Sequence, residues 1–108
     1  MEKGEEKMIR HVILWKLKDE FTPQRKYQIS CDAKNALEAL AGKIEGLEKL
    51  QVHIQLLESS NADMMLESVF SSKEALANYQ KHPLHTAAAD TFVRPFVKER
   101  LCGDFETC

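Results

Sequence analysis

No apolar run in this chain approaches the roughly 18–20 residues needed to cross a bilayer. Its first residues, MEKGEEKM, lack the apolar segment of a secretory signal. There is no basic stripe: 15 lysines and arginines stand against 17 aspartates and glutamates, with both signs interspersed. Nothing therefore serves to neutralise a phosphate backbone. Glycine is scarce and no glycine-rich phosphate loop occurs, which argues against a nucleotide cofactor. Cys31, Cys102 and Cys108 are odd in number and widely spaced, without a C-x-x-C, so neither a disulfide framework nor a zinc knuckle is indicated. No serine elbow occurs, and neither Cys31 nor Cys102 has a base beside it in sequence. The resulting expectations are no cofactor, no metal, no nucleic-acid or membrane partner, and a reducing, cytoplasmic setting.

What is present suits a single small domain, with residues 1–7 as a frayed tail and 8–106 as the folded unit. MIRHVILWKL (8–17) has the β-branched and aromatic content of a strand. One face carries Ile9, His11, Ile13, Trp15 and Leu17, and the other Arg10, Val12, Leu14 and Lys16. Both are at least partly apolar. A helix is predicted from Thr22 (N-cap) and Pro23 onward, burying Tyr27, Cys31, Leu37, Leu40 and Ile44, with Gly42 and Gly46 as stops. Strands follow over 50–57 and 63–70, separated by the polar loop ESSNA. Ser71 with Glu74 reads as a capping box for a helix that turns Ala75, Leu76 and Tyr79 inward and stops before Pro83. A further helix carries Ala88, Ala89, Phe92 and Val93 as far as Arg94-Pro95, and 97–106 is a last strand.

Strand, helix, strand, strand, helix pair, strand is an α+β, ferredoxin-like split βαβ pattern: a four-stranded antiparallel sheet with helices on one face. The other face would leave Val12 and Leu14 in water, and a two-fold partner is the simplest cover. A homodimer is expected.

The stretch YQKHPLHTAAAD (79–90) crowds a tyrosine, two histidines and a proline around a helix break. Tyr79 ends one helix and His85 begins the next, so the Pro83 turn can bring them together. A helix N-terminus disfavours imidazolium and holds His85 neutral, ready to accept a proton. A nearby phenol supplies an acid or an oxyanion donor. His11, on the apolar strand face, projects toward the same helices and could orient a carbonyl. Each residue also has a structural reading: His82 as a cap on the break, His53 as a surface or interface residue, His11 as a backbone-bonded core histidine, and Tyr79 with His85 as a brace. A metal on His82 and His85 lacks a third ligand nearby in sequence.

RHVILWKLKDE, YQKHPLHTAAAD and the terminal DFE resemble the stress-responsive A/B barrel, or Dabb, family over nearly the whole chain. The resemblance implies a dimeric α+β barrel. One plant member closes a poly-β-keto chain into a ring by an aldol-type step. By similarity its acid/base pair falls on Tyr79 and His85, and its first-strand histidine on His11. This chain departs from that enzyme after the motif, where TAAAD offers small residues, and at Glu45, where the family often has proline. Two functions follow: a cofactor-free cyclase, isomerase or lyase acting on a small carbonyl compound, or a non-catalytic stress-responsive dimer that binds a small apolar ligand. An open cavity reaching His85 would favour the first.

Overall fold

The computed structural model describes residues 7–107; the tail expected over residues 1–7 lies, but for Lys7, outside the described residues, as does Cys108. Strand β1 (Ile9–Leu17) is followed by helix α1 (Pro23–Glu38), strands β2 (Leu47–His53) and β3 (Met64–Phe70), helices α2 (Lys73–Lys81) and α3 (Pro83–Phe92), a short 3-10 turn (Arg94–Phe96) and strand β4 (Val97–Glu106). The strands form one antiparallel sheet in the order β2-β3-β1-β4, the ferredoxin-like arrangement.

The alternation along β1 sets the layers. Ile9, His11, Ile13, Trp15 and Leu17 are buried under the helices, while Arg10 and Leu14 are exposed on the opposite face. Register pairs His11 with Ser68 and Ile13 with Leu66 on β3, and His11 with Asp104 and Ile13 with Cys102 on β4. Met64, Leu66, Ser68 and Phe70 face the core as their spacing predicts. On the open face Leu14 is 36% exposed, and Leu101 and Phe105 of β4 are 70% and 52% exposed. The last two extend the apolar patch beyond the pair singled out in sequence.

Helix α1 begins as predicted: the Thr22 hydroxyl accepts from the Arg25 N–H, and Pro23 fills the first turn. Its buried face differs. Ile29, Ala33 and Leu37, spaced by four, are buried together with Ser30, whereas Tyr27 is 53% exposed and Cys31 half-buried. The helix also stops at Glu38, so the buried Leu40 and Ile44 belong to the turns that follow. The end of α1 is tied to β2 by the Glu38 carboxylate, which accepts from the Val52 N–H at 2.9 Å and from Lys34 at 2.8 Å, while Lys34 also donates to the Val52 carbonyl. Strand β2 starts earlier than predicted and ends at His53, leaving Leu57 exposed. The Asp63 carboxylate, placed in sequence on the polar face of the next strand, instead accepts from the Leu17 N–H and closes the end of β1.

The N-cap of α2 is Ser72, whose hydroxyl accepts from the Ala75 N–H, and not Ser71. Phe92, the last residue of α3, is 37% exposed, while Val93 beside it is buried. Gly46, in the turn before β2, has φ 86, and a Cβ built there would lie 2.4 Å from the Ala75 Cβ. We expect Gly46→Ala to destabilise by about 2–4 kcal/mol, combining left-handed strain of roughly 1–2 kcal/mol with overpacking. Gly42→Ala, at φ 83 with nothing within 4 Å of its Cβ, should cost only the strain. Denaturant melts of the two variants measure the difference.

Candidate active site

Pro83 makes the site possible. It opens α3 and sets His82 in extended backbone (ψ 135), so α2 ends and a second helix starts within one residue. His82 caps this junction, its Nδ1 accepting from the Leu84 N–H at 3.1 Å. It does not line the cavity described below. Tyr79, in the last turn of α2, is 1% exposed, and its ring lies 4.3 Å from that of His85, tilted by 42°. The same tyrosine packs on Phe70 at 4.9 Å, and its ring centroid lies 6.4 Å from that of His11.

These three side chains line one cavity of about 160 Å³ between sheet and helices. Its walls are apolar where Ile13, Trp15, Leu37 and Leu66 contribute, and polar toward His85, Arg94 and Arg100. The resident core histidine is the buried one, His11, and its partner is a side chain: Nδ1 donates to the Asp104 carboxylate at 2.5 Å. The backbone carbonyl of His11 accepts from Ser68. With Nδ1 bonded to Asp104, the ring leaves Nε2 for a second partner.

Asp104 and Cys102 were not singled out in sequence. The Cys102 sulfur lies 3.7 Å from the His11 Nδ1 and 3.5 Å from the Asp104 carboxylate. Their i, i+2 spacing on a strand puts them on one face, but only the β1–β4 register reveals that His11 is their neighbour. Burial raises the Cys102 thiol above its usual range, and the Asp104 charge adds to this. It is a poor thiolate. His11, Cys102 and Asp104 bring three metal-ligating atoms within 4.8 Å of one another. His53, on the open face, sits 3.4 Å from Glu67 and is remote from this cluster in the sheet.

His85 is the titratable group most plainly tuned. Burial lowers its pKa below the ordinary value, and Arg94, His11 and Arg100 add to the effect against an opposing backbone contribution from Gln80. Its Nδ1 is buried with no hydrogen-bond partner. Its place in the first turn of α3 disfavours the cation further. Burial moves Tyr79 the other way, well above the usual phenol range, so it stays a neutral O–H donor.

The Dabb stress-responsive A/B barrel domain model matches residues 9–107. The chain belongs to the Dabb family. This Dabb chain is similar to a dimeric protein of unknown function and ferredoxin-like fold from Bacteroides fragilis, with 29% identity, a TM-score of 0.86, and coverage of 93% of this chain and 96% of that one. It is also similar to a Dabb family protein with a ferredoxin-like fold from Mesorhizobium loti, at 25% identity and TM-score 0.70 over 92% and 95% of the two chains. A hydroxynitrile lyase from Passiflora edulis shares the fold, at 18% identity and TM-score 0.69 over 96% of each chain. No curated protein matches the sequence significantly.

The His85 environment predicts a titration midpoint below 6.5, readable from the imidazole proton shifts by NMR. The sign for stability follows. The unfolded state takes up the proton first, so the neutral-histidine contribution is complete above pH 6.5 and is lost as pH falls through the folded-state pKa. In His85→Gln that slope should flatten across the same window. An unchanged slope would assign the pH dependence elsewhere.

Proposed function

We propose that this Dabb chain is a cofactor-free acid/base enzyme that moves a proton on a small carbonyl compound, in an aldol-type cyclisation, an isomerisation or a lyase step. The observation that carries the reading is the half-buried His85 imidazole, its pKa lowered by burial, packed against Tyr79 on a cavity large enough for a small molecule. In the proposed cycle His85 takes the proton from the carbon next to the carbonyl. The Tyr79 O–H donates to the oxygen on which negative charge develops. Protonated His85 then returns the proton to the new carbon centre in an isomerisation, to the alkoxide oxygen formed in an aldol closure, or to the leaving group in a lyase step. His11, fixed by Asp104, orients the substrate through its Nε2. Among structures of the same fold one is named as a lyase, which is compatible with this class of chemistry.

The test is base-catalysed exchange. A panel of small ketones and keto acids is incubated in deuterated water, and loss of the α-proton signal is followed by NMR. Exchange above background in the wild type, falling about 10²–10⁴-fold in His85→Ala, is the expected outcome. Tyr79→Phe should fall comparably if the phenol donates to the oxyanion, and less if it only positions the imidazole. Ligands that bind without any exchange, or exchange indifferent to His85→Ala, would support the non-catalytic binding protein instead.

The same reading makes the working form a homodimer joined through the open sheet face as a dimeric α+β barrel. Similar structures from Bacteroides fragilis and Thermobifida fusca are described as dimeric. In this chain Leu14, Leu101 and Phe105 form the patch to be covered, worth about 25 cal/mol for each Å² of apolar surface buried. Leu14→Glu should give monomers or aggregates by light scattering, because its carboxylate would be buried unpaired. A well-folded Leu14→Glu dimer would place the seam elsewhere. Cys31 and Cys102 are free thiols, compatible with a reducing cytoplasm.

A further inference from the structure

The polar end of the cavity holds more positive charge than acid/base chemistry on a neutral ketone calls for. Arg94 and Arg100 both line it. Arg94 comes from the turn after α3 and is already paired with the Asp90 carboxylate one helical turn back. Arg100 lies on β4 opposite Trp15, on the same strand face as Cys102 and Asp104, and among the described residues it forms no ion pair. The carboxylates nearest to it in the sheet are engaged or averted: Asp104 accepts from His11, and Glu99 follows Lys16 on the opposite face. Arg100 is exposed at the mouth while remaining close enough to add to the downward shift of His85.

We propose that Arg100 recognises a carboxylate, so that the substrates of this site are small carbonyl acids whose anionic end stays at the mouth and whose apolar body enters the cavity. The inference rests on the acid/base reading of the same site. The size follows from the volume: a cavity of about 160 Å³ compares with the dry protein cavity of roughly 150 Å³ that accepts benzene. The chemistry follows from the lining. Trp15, Ile13 and Leu66 offer contacts to a ring or short chain, and a guanidinium presents a planar fork to a carboxylate. An anion beside His85 would also offset the repulsion that the two arginines exert on its protonated form, supporting the proton uptake that the reaction demands. Lysine at the same position would keep the charge and lose the fork.

Binding of benzoate and of its neutral isostere benzamide, measured by titration calorimetry on the wild-type protein, tests this without any turnover. Benzoate should bind more tightly than benzamide, by about tenfold or more, as expected for a hydrogen bond to a charged group. Arg100→Gln should erase that preference and leave benzamide unaffected, while Arg100→Lys should retain part of it. Added salt should weaken benzoate selectively. Equal affinity for the two probes, absence of binding by both, or a preference that survives Arg100→Gln would overturn the proposal; so would loss of the preference only in Arg94→Gln. His85→Ala should still prefer benzoate, so failure of the proton-transfer reading and failure of carboxylate recognition give different results.

Discussion

Everything in this molecule hangs on the two-residue period of β1. The strand is central in the sheet, paired with β3 on one side and β4 on the other, so its odd and even positions are sorted into two environments with no intermediate. Odd positions build the core and place His11 against the helices. Even positions, with Leu101 and Phe105 from β4, make the apolar face that awaits cover. The same hydrogen-bond ladder that holds β1 in place also delivers Asp104 to His11. Catalytic candidates and the proposed interface are therefore two readings of one backbone arrangement.

The second constraint is the proline break. A continuous helix through residues 73–92 would put positions 79 and 85 six residues apart, on different sides of its axis. Breaking it at His82 frees the angle between α2 and α3, and the tyrosine and histidine rings meet at 4.3 Å. The break also supplies the helix N-terminus whose dipole, with burial, keeps His85 neutral. Local chain chemistry and site electrostatics thus share a cause, and His82, by capping the new helix, stabilises the junction without entering the cavity.

How far all this could be read in advance depends on whether the determinant was local. Strands β1 and β4 were legible because alternation and end residues are properties of the strand itself. The Tyr79–Pro83–His85 arrangement was legible because proline acts on its immediate neighbours. Tyr27 misled, since an aromatic at helical spacing outweighs a small Ala33 in any periodicity, although Ala33 is the one packed against the core. Ser72 was passed over for Ser71 because two adjacent serines are equally good caps, and only the path of the chain out of β3 selects between them. Asp104 lies 93 residues from His11, and no pattern within either strand announces their pairing.

Strand β4 carries this economy to its limit. Arg100, Cys102 and Asp104 face the cavity side while Leu101, Gly103 and Phe105 between them face outward. Single substitutions can thus retune what the cavity recognises and what the outer face adheres to almost independently, one residue apart. A single-residue insertion between Glu99 and Arg100, past the irregular pairing at Lys16 and Leu17, has no such freedom. It would exchange the two sets at a stroke, driving leucine and phenylalanine over His11 and setting arginine and aspartate on the outer face. Evolution along this strand is open to replacement and closed to change in length.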